Sequence, residues 1–383
     1  MISPSELTKA TKKEAHRLGF QLVGVTTPDP PAHLDVYVQW LDASHHAGMG
    51  WMAAERNRQR RADPLQILPE CETVLVLGVR YPPPSVPPDF RGETGVVASY
   101  AWGDDYHDVL PERLRALVSF IETQAGRPVP NRCYTDTGPI LERELAQRAG
   151  LGWIGKNTNL INPNIGSYFF LAEILLGIKL EVDAPFAADR CGTCTRCIDA
   201  CPTNCILPNR TIDSNGCISY LTIELKASIP AELRPKIGDH IFGCDICQQV
   251  CPWNQRFARP DAGRLFRPRL EEDNPTLRHD LALSPQEFNR KFAGSPIKRT
   301  KRRGYLRNVA VALGNTGSAS DIPALARALH DDEPLIRAHA AWALGQIDGD
   351  ESANALTTAA RTEVDEIVLT EIQSALTECY DRR

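Results

Sequence analysis

Apolar positions in the first 180 residues switch repeatedly between a helical and a strand period. Over residues 5–19, Leu7, Ala10, Thr11, Ala15 and Leu18 fall on one helical face, and Gly19 provides a C-terminal stop. Phe20–Val25 follows as a strand. A long helical stretch is expected over about residues 33–55, and Arg56–Arg61 form a cationic helix that ends at Asp63 and Pro64. Thr73–Val79 is a strand, and the proline-rich stretch 81–88 is a rigid surface excursion. Next come an amphipathic helix from about Pro111 to Thr123, a strand ending in Cys133-Tyr-Thr-Asp136, and a helix over Ile140–Arg148. Residues 167–178 are apolar on both faces, as a buried central strand is.

Beyond residue 298 only the helical period remains, and it repeats. Leu306–Asn315, Ile336–Gln346 and Val368–Leu376 recur every 31 to 32 residues, aligning Ala310 with Ala341, Ala312 with Ala343 and Leu313 with Leu344. Ile322–Leu329 and Ala353–Ala360 supply the outer helices of a short HEAT-like solenoid. Such stacks bind macromolecules or serve as a stabilising cap.

Composition adds bounds. A chain of 383 residues with 42% hydrophobic and 24% charged residues makes two or three ordinary domains. No apolar run is long enough to span a bilayer, and Lys, Glu and His punctuate the first 25 residues where a signal peptide would be apolar, so a cytoplasmic protein is expected. The formal charge of -5 exerts no global pull on nucleic acid. A local exception is Lys298–Arg307, with six cations in ten positions and no acid.

The cysteines change the picture most. Of the twelve, seven lie in two runs: Cys191-x2-Cys194-x2-Cys197-x3-Cys201-Pro, and Cys244-x2-Cys247-x3-Cys251-Pro. The first has the bacterial ferredoxin spacing, in which three thiolates hold one 4Fe-4S cluster and the fourth crosses to a second. A structural zinc site would use paired C-x2-C units and has no need of the prolines, and a disulfide framework is out of place in a chain of this size without a secretory signal. The second run is one ligand short, and Cys217 supplies it. Cluster one then takes Cys191, Cys194, Cys197 and Cys251; cluster two takes Cys201, Cys217, Cys244 and Cys247. Cys205 competes with Cys217, but it lies only four residues after Cys201, on the same turn, whereas ligands must surround a cluster.

Other features carry less. The vicinal His45 and His46 read as surface histidines, because neighbours on a helix diverge. Arg56–Arg61 is equally a solvated face or an anion site. Asp136 and Thr137 are N-cap candidates for the helix after them. The glycine-studded Gly150–Ile161 turn misses both the Walker and the dinucleotide spacings. Cys71, Cys133 and Cys379 read as buried thiols.

Taken in order, Tyr134-Thr-Asp-Thr-Gly-Pro-Ile-Leu-Glu-Arg143, Gly152-Trp-Ile-Gly-Lys-Asn-Thr158, the two cysteine runs with Cys217 between them, and Ser295-Pro-Ile-Lys-Arg-Thr-Lys-Arg-Arg-Gly-Tyr-Leu-Arg-Asn308 resemble the epoxyqueuosine reductases over essentially the whole chain. The resemblance implies an α+β architecture: a mixed α/β cobalamin and substrate domain at 1–181, a ferredoxin-like two-cluster domain at 182–260, a connection at 261–297, and HEAT-like repeats touching tRNA at 298–383. It implies reduction of epoxyqueuosine to queuosine at the tRNA wobble position, with electrons passing through the clusters to cobalamin. It also gives Asp136 the role of proton donor, displacing the capping role, and asks burial beside a corrin to keep that carboxyl protonated.

By the same resemblance, cobalamin, resting as cob(II)alamin, is contacted by Arg60, Asp136, Asn157, Asn159, Ile161, Ser219, Lys226, Cys244 and Asp245. No D-x-H-x-x-G element is present, in keeping with a base-off cofactor. Lys298, Arg299, Lys301, Arg302, Arg303 and Arg307 become tRNA phosphate contacts. The implied partners are a tRNA with a queuosine-type anticodon and a flavodoxin- or ferredoxin-type reductant; a solenoid end and a small acidic net charge are compatible with a monomer. The competing assignments are a reductive dehalogenase, disfavoured by the basic run and repeats, and a ferredoxin-type carrier, which leaves the N-terminal domain without a role.

Overall fold

The computed structural model describes residues 2–84, 94–259, 265–269, 276–347 and 349–381. The proline-rich excursion expected at 81–88 therefore lies outside the described residues beyond Pro84. Two compact units interleave along the chain. The first comprises Met1–Pro84, Gly103–Asn215 and Ile246–Arg267; the second comprises Ser85–Trp102, Gly216–Asp245 and Pro268–Arg383.

The described strands are β1 (Leu22–Thr26), β2 (Thr73–Arg80), β3 (Val96–Val97), β4 (Asn131–Tyr134), β5 (Trp153–Ile154), β6 (Leu160–Ile161), β7 (Phe169–Leu176) and β8 (His240–Phe242). The first unit is organised on a four-stranded antiparallel sheet ordered β1-β2-β7-β4. The expected central strand is β7, paired on both sides. Its Phe169, Leu171 and Leu175 face the helix Glu142–Arg148 together with Val74 and Val76 of β2 and Ile140, Leu145 and Ala146. Residues of the opposite parity face the long helix Tyr106–Ala125, where Tyr106 stacks on Phe170 with ring centroids 4.2 Å apart. Helix Pro4–Arg17 packs on that long helix; it opens with a capping box between Ser3 and Glu6, and Gly19 at φ +98° turns the chain into the sheet.

Three expected elements differ. The helix over 33–55 is broken into Leu34–Asp42 and Gly50–Ala53, because Ser44 and Ala47 adopt left-handed φ values of 56° and 52°. In the tract between, Trp40 Nε1 donates to Ile212 O at 2.6 Å and the Ser214 amide to His45 O at 2.8 Å, so tertiary contacts decide its path. His45 and His46 are half-buried rather than on a helix face. The long helix begins at Tyr106, five residues before Pro111, because Asp105 caps it by accepting the His107 amide at 3.0 Å; the proline costs one helical bond instead of starting the helix. Finally, the helix after Asp136 starts at Glu142 behind Leu141, with no side-chain cap, so neither Asp136 nor Thr137 is an N-cap.

In the second unit β3 and β8 pair in parallel. Helix Lys301–Thr316 packs on β8, on Ile218–Ile223 and on Arg234–Ile237. The inner helices Lys301–Thr316, Pro334–Gln346 and Glu366–Asp381 stack in succession, with Ile322–Ala328 and Asp350–Ala360 beside them. The repeat explains two glycines: a Cβ at Gly314 would come within 2.6 Å of the Trp342 ring, and one at Gly345 within 2.8 Å of Ala375 Cβ. No helix among the described residues is long and apolar enough to cross a membrane.

Candidate active site

The first cysteine run is a loop whose spacing is set by tight turns. The Cys194 amide donates to Cys191 O at 3.1 Å, and the short helix Arg196–Asp199 carries Cys197. That helix packs against Ile246–Gln249, which precedes Cys251. Cys251 itself is the N-cap of Pro252–Phe257, and this gives the Cys-Pro pair a physical reason: the proline takes the first helical position, where its missing N–H costs nothing.

Burial, together with neighbouring thiols that include Cys191, raises the Cys197 and Cys251 pKa values. Thiols that oppose one another's ionisation call for a cation, and the iron of a cluster provides one, so the donor set fits. Among the described residues no three His, Cys, Asp or Glu side chains converge tightly enough for a single metal ion. An apolar shell of Trp153, Ile161, Phe186 and Trp253 surrounds Cys191 and Cys251, and Trp153 Nε1 donates to Cys191 Sγ at 3.4 Å. Such a shell and such a donor tune a cluster's potential.

The β5–β6 hairpin, whose glycines miss both nucleotide-binding spacings, is a brace for this loop. Lys156 Nζ donates to Gly192 O at 2.8 Å and Cys194 O at 3.0 Å, and buried Asn157 donates to Cys247 O at 3.3 Å. Ile161 is buried against Trp153 and Cys251, so its side chain serves the thiol loop.

The second expected ligand set divides between the units. Cys201 and Cys247 belong to the first, Cys217 and Cys244 to the second. Cys205 stands 3.5 Å from Cys201, sulfur to sulfur, and its hydrogen bond, with help from Thr203, brings the Cys201 pKa down to about 4. Cys217 is the N-cap of Ile218–Ile223, and Gly243, before Cys244, donates its amide to Thr222 of that helix at 2.9 Å. The expected cobalamin contacts divide likewise: Arg60, Asp136, Asn157, Asn159 and Ile161 in the first unit, Ser219, Lys226, Cys244 and Asp245 in the second. Buried Asp245 accepts the Ser99 amide at 2.7 Å.

Asp136 comes after β4 on a turn of its own. Thr135 is buried and donates to Leu171 O at 2.9 Å, and Gly138 leaves no room for a Cβ, which would lie 2.5 Å from the Tyr134 ring. Asp136 takes φ +57°, an uncommon conformation for a residue with a side chain. Its amide donates to Glu142 Oε1 at 2.7 Å, Tyr106 Oη donates to its Oδ2 at 2.9 Å, and His107 Nε2 lies 3.8 Å from the same oxygen. The carboxyl side chain is 58% exposed in this turn. What surrounds it is acidic: Glu142, pushed up to about 7 by burial and then by Asp136, and Glu173, pushed well up by burial and then by Glu142. Sequence reasoning overlooked both glutamates; the available signal was one acid in the otherwise apolar strand Phe169–Leu176.

The basic run is less uniform than its sequence. Arg307 is 0% exposed; its guanidinium donates to Leu221 O, Leu225 O and Ala227 O, and burial pushes its pKa down to about 9. Arg302 forks onto Asp331 and donates to Leu283 O at 2.6 Å. Arg307 has no surface to offer a phosphate, which corrects its expected role; Arg302 is ion-paired and half-buried. Arg299 pairs with Glu224 at 2.7 Å, while Lys298, Lys301 and Arg303 are exposed.

An α+β unit carrying a thiol loop shaped for an iron–sulfur cluster, in a chain that ends in stacked helical repeats, defines an iron–sulfur oxidoreductase. Family models agree with each part: 4Fe-4S double cluster binding domain at residues 190–254, Epoxyqueuosine reductase QueG, DUF1730, at 61–137, and HEAT repeats at 302–377. The chain is 41% identical over 352 residues to the epoxyqueuosine reductase of Pseudomonas aeruginosa, covering 89% of this chain and 94% of that one. It is 40% identical over 347 residues to that of Escherichia coli, covering 89% and 90%. Among solved structures, an epoxyqueuosine reductase with a tRNA-Tyr epoxyqueuosine-modified stem loop matches with a TM-score of 0.90 at 32% identity, over 99% of this chain and 100% of that one. The Bacillus subtilis enzyme, with its catalytic aspartate loop swung out of the active site, matches with a TM-score of 0.90 at 32% identity over 98% and 100%. The chain belongs to the epoxyqueuosine reductase family.

Proposed function

We propose that this chain removes the epoxide oxygen of epoxyqueuosine at the wobble position of tRNA, with Asp136 as the proton donor. The net change breaks both carbon–oxygen bonds of the epoxide, forms a carbon–carbon double bond and releases water, and so consumes two electrons and two protons. In this reading the first cluster is held by Cys191, Cys194, Cys197 and Cys251, the second by Cys201, Cys217, Cys244 and Cys247, and an external flavodoxin- or ferredoxin-type donor feeds them.

The single observation that carries the proton-donor role is the Asp136 turn: an accessible carboxyl, oriented by Tyr106 Oη and held by its own amide in a conformation that local sequence disfavours. Asp136 delivers a proton to the departing oxygen, while Tyr106 keeps Oδ2 occupied and leaves the other oxygen to face substrate. The Bacillus subtilis relative, whose catalytic aspartate loop is swung out of the active site, supports assigning that part to this turn.

Arg60 and Asn159 of the first unit and Ser219 and Lys226 of the second would hold cobalamin, since they keep amide, hydroxyl and cationic groups accessible to match a corrin's carboxamide fringe. When bound, it supplies a cobalt centre able to deliver two electrons to the epoxide carbon. For tRNA, the support is the exposed set Lys298, Lys301 and Arg303. The relative bound to a modified stem loop points the same way.

Anaerobic incubation of reconstituted protein, cobalamin and reductant with epoxyqueuosine-containing tRNA, followed by nucleoside mass spectrometry, tests the reading. Queuosine is the expected product, and Asp136→Asn is expected to slow its formation by roughly 10²- to 10⁴-fold. No queuosine from the wild type refutes the activity; wild-type turnover in Asp136→Asn refutes only the proton donor.

A further inference from the structure

The least expected side chain in the first unit is Glu173. It stands in the row Phe169, Leu171, Glu173, Leu175 of β7, on the sheet face that packs on helix Glu142–Arg148. It is 0% exposed, and its carboxyl oxygens have no hydrogen-bond partner of ordinary geometry among the described residues, the one group close enough to share a proton with it being the Glu142 carboxyl. Its neighbours across the sheet are Val76 on β2 and Tyr134 on β4, which neutralise nothing. The groups that act on its ionisation are Glu142, from the covering helix, and Asp136, from the turn after β4, both acidic.

The cation that acts on this set is Arg143, which lowers the Glu142 pKa but not that of Glu173, while its guanidinium donates to Thr158 O at 2.5 Å. His107, on the long helix, approaches only the outer oxygen of Asp136. An ionised carboxylate in the position of Glu173 is strongly disfavoured, so this group retains its proton. Glu142 differs, because it accepts the Asp136 amide at 2.7 Å and is only half-buried.

We propose that Glu142 and Glu173 are positioning residues for the Asp136 turn: the pair holds one proton, on Glu173, and the remaining charge on Glu142 anchors the Asp136 amide. The inference rests on the reading of Asp136 as proton donor. A charged acceptor grips an N–H more firmly than a neutral one, and a left-handed aspartate needs such a grip. The anchor is therefore strongest in a window of pH. Below about 7 Glu142 gains a proton and weakens as an acceptor; burial and Glu142 hold the Glu173 pKa well above the ordinary carboxyl range, and once that proton is lost a second buried charge next to Glu142 and Asp136 pushes the turn away.

The test uses cluster-loaded protein without cobalamin or tRNA. Exchange of the Asp136 amide is followed by mass spectrometry of the 134–141 peptide, corrected for the intrinsic effect of pH, alongside kcat and KM of the complete enzyme. Glu142→Ala is expected to lower protection of that amide about tenfold or more and kcat by a similar factor, with KM for tRNA within about twofold. Glu173→Gln keeps a neutral hydrogen-bonding side chain with no proton to lose. It is expected to hold kcat at neutral pH within about threefold and to abolish the alkaline fall in both protection and kcat.

An alkaline limb in Glu173→Gln identical to the wild type, or unchanged amide protection in Glu142→Ala, overturns the proposal. If Glu173→Gln does not fold, the Glu142→Ala exchange decides alone. Wild-type turnover in Asp136→Asn would remove the catalytic reading while leaving the exchange result to judge the anchor.

Discussion

The thiol loop around Cys191 and the turn around Asp136 both belong to the first unit, and they are assembled in opposite ways. The loop draws most of its thiols from seven consecutive positions whose separations are fixed by tight turns and one short helix, so its chemistry is written in spacing. The turn draws Tyr106, Asp136, Glu142 and Glu173 from a long helix, a turn, a second helix and a central strand. None is related to another by a recognisable interval. A site made by local geometry tolerates a varied scaffold, whereas a site made by convergence depends on the sheet that brings its parts together.

The largest expected effect breaks the loop. Cys251→Ala removes a thiolate from the first cluster; iron analysis should find about four atoms per chain fewer, and queuosine formation should fall by roughly 10³-fold or more. The Asp136 turn, in contrast, should survive, with its amide still protected from exchange. If turnover persists after the iron is lost, electrons do not pass through that cluster.

Next come the two kinds of cation in the basic run. Replacing exposed Lys298, Lys301 and Arg303 with Glu should weaken tRNA binding about tenfold at low salt and reduce the salt slope by roughly 2, with cluster content unchanged. Arg307→Ala should instead lower the melting temperature of the protein by roughly 5 °C or more, since three backbone carbonyls lose their donor. An Arg307→Ala protein of normal stability and weak tRNA binding would return that residue to the interface.

A smaller effect concerns the acidic turn and stability. Glu142 and Glu173 titrate above the 4.5 of an unfolded chain, so above that pH the folded state holds more protons than the unfolded one. Their contribution is intact below pH 4.5 and is lost as pH rises through about 7 and beyond. Glu173→Gln should therefore melt roughly 2–4 °C above the wild type near pH 8.5, and the gap should close toward pH 5. A gap that widens on acidification would place the proton elsewhere.

The smallest expected effect sharpens the loop. Trp153→Phe keeps the apolar shell but deletes the N–H that reaches Cys191 Sγ, so the cluster potential should fall while turnover changes by less than about threefold. Redox titration followed by optical or magnetic resonance spectroscopy reads the shift.

Legibility divides along the same line. The central strand was readable because its run of apolar residues is continuous, and the repeats because Ala310, Ala341 and their neighbours recur at a fixed interval that two close-packed glycines enforce. The capping role first given to Asp136 failed because a cap is inferred from the next few residues of the chain, while this residue's partners are Tyr106, thirty positions before it, and Glu142, whose carboxylate takes the amide. The helix expected over 33–55 failed similarly: propensity ran on through Ser44, and contacts with residues 212–215 ended it.

By itself, the sequence determined the cysteine spacing, the central strand, the helical period of the last eighty or so residues and the order of motifs that marks the family. Those are short-range or periodic properties, and a chain states them directly. Only the tertiary structure decided which of six neighbouring cations are buried, that Ile161 serves the thiol loop, and that a lone glutamate in β7 lies beneath the Asp136 turn. Burial and ionisation are sums over residues distant in sequence, and they come into being when the sheet and its helices close around them.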